Sequence, residues 1–143
     1  MNFLLFGGLK LSITVKQVQD IFNNLDNGES EKFFEYVADD VSWKVMGTHP
    51  LAGTYKSKQD FLTHTFVRLN KILKDGVILK VSNILVQNDT AAVELESYST
   101  SLNGIPFNNT YCWVVKFEDD IIVEVRAYVD SALVKKVIEE NER

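Results

Sequence analysis

FNNTYCWVVKFEDDIIVEVRAYVD, residues 107–130, places two runs rich in Val, Ile, Tyr, Trp and Phe on either side of the acidic cluster Glu118-Asp119-Asp120. Runs of this composition, broken by residues that favour reversal, predict two long antiparallel strands and a tight turn. Side chains alternate across a strand, so Tyr111, Trp113, Val115 and Phe117 share one face of the first. On the second, Val123, Val125, Ala127 and Val129 share one face, and Glu124, Arg126, Tyr128 and Asp130 the other. An acid, a base and a phenol beside a Tyr/Trp-lined strand predict a sheet that encloses something, and the function is expected at this hairpin.

Working outward, two further strands are predicted upstream, over about Val77–Gln87 and Thr90–Leu102. Asn88-Asp89 and Asn103-Gly104-Ile105-Pro106 supply the turns of a four-strand meander. Nearer the start, Thr14-Val15-Lys16-Gln17 is a capping box, followed at helical spacing by Val15, Val18, Ile21, Phe22 and Leu25. Asp26-Asn27-Gly28 ends that helix, and Ser30 is expected to cap a short second one with Phe33, Phe34 and Val37 facing inward. Val41–Met46 reads as a strand with Val41, Trp43 and Val45 on one face, leading to the loop Gly47–Gly53 and a brief strand at Thr54-Tyr55. Ser57-Lys58-Gln59-Asp60 opens one long helix carrying Phe61, Leu62, Thr65, Phe66, Leu69, Ile72 and Leu73, ended by Asp75-Gly76. Asp130-Ser131 caps a last helix bearing Leu133, Val134, Val137 and Ile138. This order predicts an α+β fold: helices segregated against a mainly antiparallel sheet whose long strands must bend around them. Such a sheet leaves a pocket at its open end.

The 143 residues fit one domain, taken as 14–143 behind an apolar arm at 1–13. A net charge of −5 without clustered Lys/Arg argues against nucleic acid as a partner. Cys112 is the single cysteine, so no internal disulfide is possible, and a lone thiol in a hydrophobic strand suits a reducing compartment. One Cys with His49 and His64 makes a soft-ligand metal centre improbable, and no metal or cofactor is expected. The stretch MNFLLFGGLKL, residues 1–11, lacks the basic flank and cleavage pattern of a signal peptide and is too short to span a bilayer. It is expected to pack on its own domain or on a partner subunit, and the chain reads as cytoplasmic and not membrane-bound.

Four stretches then carry a resemblance: Asp39-Asp40-Val41-Ser42-Trp43, Pro50-Leu51-Ala52-Gly53-Thr54-Tyr55, Phe107-Asn108-Asn109-Thr110-Tyr111 and Val123–Asp130. With the order of elements, they make the chain from about Thr14 to Ile138 resemble the nuclear transport factor two-like superfamily, and within it the SnoaL-like polyketide cyclase branch. The resemblance implies a cone-shaped, strongly bent, mainly antiparallel sheet with three to four helices packed on its concave face (a cystatin-like α+β barrel), an architecture that hosts enzymes and non-enzymes alike. Steroid isomerases of this fold use an acidic base on the first strand and a tyrosine on the first helix. Val45 and Ile21 stand at those places by spacing, so that activity is not expected. The epoxide hydrolase set of Asp, Arg and Asp finds a match only at Asp130, with Glu96 and Tyr98 at the paired strand positions. The turn that relatives write with Gly is Asp119-Asp120, a change of little weight because Asp tolerates left-handed dihedrals.

Asp130, Glu96 and Tyr98 are the candidate catalytic residues for cofactor-independent acid–base chemistry by an isomerase, cyclase or hydrolase. Asp130 equally suits a helix cap, and Glu96 with Tyr98 suits a solvated face if that face is convex. Trp43, His49, Asn109, Tyr111, Trp113, Arg126 and Tyr128 are the candidate ligand contacts. The aromatic residues among them offer flat amphipathic surfaces, or simply core. Besides catalysis, two readings stand open: a non-catalytic pocket for a small hydrophobic molecule, and a homodimer built on the convex sheet face. A dimer is expected under all three.

Overall fold

The structure, a computed structural model, describes residues 12–142; the expected arm therefore falls, up to position 11, outside the described residues. The hairpin forms as predicted from β5 (Thr110–Glu118) and β6 (Ile121–Val129), registered from Tyr111 opposite Val129 to Glu118 opposite Ile121. Asp119 takes φ +58°, the left-handed conformation its short polar side chain tolerates, and closes the turn without glycine. A register shift at Lys116/Phe117 brings Ile122, rather than Val123, into the interior beside Val125 and Ala127.

Four more strands complete one sheet: β1 (Val37–Val45), β2 (Gly53–Tyr55), β3 (Leu79–Gln87) and β4 (Thr90–Ser97). Their order is β2-β1-β6-β5-β4-β3, antiparallel throughout except for β1 beside β6. The fold is α+β, with the helices gathered on one face of this bent sheet. β4 stops five residues short of the predicted Leu102. Beyond Ser97 regular pairing gives way to isolated bridges at Thr100 and Ser101, and serine hydroxyls bond to the loops: Ser97 Oγ donates to the Phe107 carbonyl at 2.7 Å and Ser99 Oγ to that of Gly76 at 2.9 Å.

Helix α1 (Val15–Asp26) shows both bonds of the capping box and buries Val18, Ile21, Phe22 and Leu25, while Val15 faces solvent. Helix α2 (Ser30–Phe34) is shorter than predicted: Ser30 lies inside it without a capping bond, and Val37 opens β1 instead of closing the helix. The one long helix predicted from Lys58 is two, α3 (Lys58–His64) and α4 (Phe66–Ile72). The break falls at Thr65, whose hydroxyl donates to the Phe61 carbonyl at 2.7 Å. Back-bonding of this kind bends helices, and Thr65 sits at φ −125°, ψ −78°. Helix α5 (Ser131–Asn141) starts at Asp130, whose carboxylate accepts from the Ala132 N–H at 3.1 Å.

The core lies between the concave sheet face and the helices. Its centre is aromatic: Phe22, Phe33, Phe34, Trp43, Phe61, Phe66 and Trp113 sit ring to ring. A second apolar cluster, with Leu51, Leu69, Ile72, Phe107, Val134 and Val137, seals the space between α4, α5 and the loops. Among the described residues no helix is long and apolar enough to cross a membrane.

Candidate functional site

A hollow remains where the two clusters meet. Trp43 and Val45 of β1, Tyr111 and Trp113 of β5, and Ala127 and Val129 of β6 form its sheet wall. Phe61, Thr65, Phe66, Leu69 and Val134 close it from the helices, and His49, Leu51 and Phe107 from the loops. The atom-free space is about 500 Å³ counted out to the open mouth. The part wide enough for whole water molecules is far smaller, with room for only a few. Among the described residues no Asp, Glu, Lys or Arg stands in the wall, so the site suits a small, neutral, apolar guest.

The sheet wall is built by strand alternation. Val45, Ala127 and Trp113 pair across three neighbouring strands, so a small residue stands between two larger ones and leaves room there. Trp43 is fully buried, stacked on Phe61 with ring centroids 3.9 Å apart and planes 17° from parallel. It meets Trp113 edge to face at 5.2 Å and 82°.

The polar groups of the wall are few. Thr65 spends its hydroxyl proton on the Phe61 carbonyl. Burial pushes the Tyr111 phenol well above its ordinary value, with the Ser97 hydroxyl pulling the other way, so the phenol stays neutral and able to donate. His49 is buried, with Nε2 3.1 Å from the Met46 carbonyl and Nδ1 3.2 Å from the Leu51 N–H. A carbonyl only accepts and an amide N–H only donates, which fixes the neutral Nε2–H tautomer. Gly47, at φ +107°, permits this loop: a Cβ there would stand 2.6 Å from Ser131 Oγ and 3.2 Å from the His49 ring. His49 thus acts as an internal strut of the loop.

Burial lowers the His49 pKa, the Met46 bond partly offsetting it. The unfolded chain then binds a proton more readily than the folded one, so His49 contributes stability that is complete above about pH 6.5 and is lost as pH falls through the folded value. The expected result is an unfolding free energy that declines on acidification below that point in the native chain, with a shallower decline in His49→Gln. Urea melts across this pH range check it; equal slopes would contradict it.

Of the ten residues singled out from the sequence, the structure brings Trp43, His49, Tyr111 and Trp113 together in the wall. The others lie outside it. Glu96 and Tyr98 are on the convex face, the solvated one of the two alternatives, because Ala91, Val93, Leu95 and Ser97 take the inward positions of β4. The Tyr98 hydroxyl donates to Glu96 Oε1 at 2.8 Å in solvent-exposed surroundings. Arg126 and Tyr128 also face outward, Arg126 3.8 Å from Glu124. Asp130 is exposed and caps α5. Asn109 is buried but serves as a brace, its Nδ2 donating to the Asp130 carbonyl at 3.3 Å and its Oδ1 accepting from the Thr110 N–H at 2.9 Å. Leu51, Phe107 and Val134 enter the wall without having been singled out as contacts; only the helical spacing of Val134 in α5 marked it as inward-facing. Among the described residues no group of three or more His, Cys, Asp or Glu is placed to hold a metal ion.

A bent six-stranded sheet closed by helices around a hollow defines an NTF2-like half-cone, and solved structures share it. An NTF2-like protein from Burkholderia thailandensis superposes with a TM-score of 0.74 at 22% identity, over 86% of this chain and 95% of that one. Bal32a, from a soil-derived mobile gene cassette, does so with a TM-score of 0.72 at 14% identity, over 85% and 93%. Within that class the chain belongs to the SnoaL-like domain family, which matches residues 18–125. It is 33% identical over 129 residues to the dimerizing cyclase phiC of a fungal species and 31% identical to the dimerizing cyclase tstC of Talaromyces stipitatus. Each match takes in 87% of this chain and 57% of the relative, so the chain spans little more than half the length of these curated relatives.

Proposed function

We propose that this SnoaL-like domain holds a small, neutral hydrophobic molecule in its half-cone. The observation that carries the reading is a wall beside an open mouth to which the described residues contribute no Asp, Glu, Lys or Arg. An unpaired carboxylate brought into such a site would cost several kcal/mol, so the guest is uncharged. Both tryptophans of the chain stand in the wall and report on its contents. Benzene is expected to change the tryptophan emission saturably, and benzoate at equal concentration to leave it unchanged. Equal responses, or none to benzene, would contradict the proposal.

A cyclase is the second reading, favoured by the two relatives named as dimerizing cyclases. In that reading Tyr111, neutral and in the wall, donates a hydrogen bond to the oxygen on which charge develops. Glu96, Tyr98 and Asp130 remain the carboxylate–phenol set expected from the sequence, now on the outer face and at a helix cap. Once a cyclisation is found, Tyr111→Phe should slow it while Glu96→Gln and Asp130→Asn leave it intact. The reverse pattern would return the chemistry to the carboxylates. We also propose a homodimer through the convex face, where Leu85 and Tyr128 are exposed and Cys112 and Val114 half-buried. Light scattering that showed a monomer at micromolar concentration would overturn it.

A further inference from the structure

We infer that the guest carries a neutral acceptor oxygen, of the ketone, ester or amide kind, that takes a hydrogen bond from Trp43 Nε1–H. This inference rests on the binding reading above. Among the described residues, Trp43 Nε1 is the one buried side-chain polar atom without a hydrogen-bond partner. Folded proteins leave few such groups, because a buried donor without an acceptor forfeits the water it had in the unfolded chain. Of its polar neighbours in the wall, His49 is provided for through Met46 and Leu51 and Thr65 through Phe61, while the Tyr111 phenol has the Ser97 hydroxyl beside it. Trp43 itself lines the hollow, held in place by its stack on Phe61. An indole N–H only donates, so the missing partner is an acceptor. The described residues place no Lys or Arg in the wall, which makes that acceptor uncharged. A hydrocarbon would fill the same space and leave the donor orphaned, so the group distinguishes oxygenated from purely hydrocarbon guests of one shape. The T-shaped contact with Trp113, ring planes 82° apart, could offer this proton only an N–H···π partner, and such contacts are weak.

Cyclohexanone and methylenecyclohexane differ only in replacing a carbonyl oxygen by CH₂ and form the test pair. Proton–nitrogen NMR of the intact chain gives two indole N–H resonances, assigned with Trp113→Phe, and the methyl groups of Leu69, Ala127 and Val134 report occupancy independently. Both compounds are expected to shift the methyl signals, and only cyclohexanone to move Trp43 Nε1–H downfield. Benzothienylalanine in place of Trp43, with sulfur where the N–H stands, should weaken cyclohexanone about tenfold and methylenecyclohexane by less than about twofold. Methyl shifts from both compounds with an unmoved indole proton would overturn the inference and leave the cavity reading standing. Methyl signals that respond to neither compound would sink the cavity reading and this inference with it.

Discussion

Trp43→Ala is expected to lower the unfolding free energy by about 3–5 kcal/mol, the cost of removing a buried large aromatic side chain. Trp43 is fully buried on β1, stacked on Phe61 and edge-on to Trp113, with Phe34 at 6.0 Å. Its removal deprives strands, α2 and α3 of a common contact. Against a total of about 5–15 kcal/mol for a typical domain, that loss leaves little in reserve. Trp43→Phe should cost clearly less, because its N–H has no protein partner to lose and a ring is retained against Phe61. Urea unfolding followed by far-ultraviolet circular dichroism reads both variants. A loss below about 1 kcal/mol for the alanine would mean that the aromatic centre is not what holds sheet to helices.

Filling the hollow should separate binding from folding. Ala127 stands between Val45 and Trp113 in the sheet and lines the cavity. Ala127→Leu puts three more carbons into that gap. Over-packing of a well-filled core costs about 1–3 kcal/mol, but this position borders empty space, so the loss should fall at the low end. Affinity for benzene should drop by roughly tenfold or more, as the guest and the new side chain compete for one volume. Unchanged affinity in a folded variant would place the guest elsewhere.

Much of the fold is legible in the residues because the signals are local. The Glu118-Asp119-Asp120 break fixes the hairpin, and Asp119 at φ +58° shows why no glycine was needed there. The Thr14/Gln17 box and the Asp130 cap likewise depend on neighbours within three residues. The parallel pairing of β1 with β6 joins Val45 to Ala127 across most of the chain, and no local pattern announces it. The division of the long helix at Thr65 turned on one hydroxyl choosing the Phe61 carbonyl, a choice a helical periodicity does not encode. For the site, alternation identified Trp43, Tyr111 and Trp113 as co-facial sets, but not which face of β4 curves inward. That is why the pattern leaves both faces open for Glu96 and Tyr98: the acid–phenol pair is real, bonded at 2.8 Å, and lies on the outer side of the sheet. The sequence puts His49 in a loop as a candidate contact, but its burial depends on Gly47 and on bonds to Met46 and Leu51 that no local pattern announces.

Xenon probes the dryness of the hollow with no chemistry of its own, since empty apolar cavities take it up and hydrated ones resist it. In a crystal of the chain pressurised with xenon, an atom is expected inside the wall formed by Trp43, Leu69, Phe107 and Val134, with no water bound among those residues beforehand. Ordered water filling that space, or a crystal with no xenon there, would contradict the dry half-cone on which the proposed function depends.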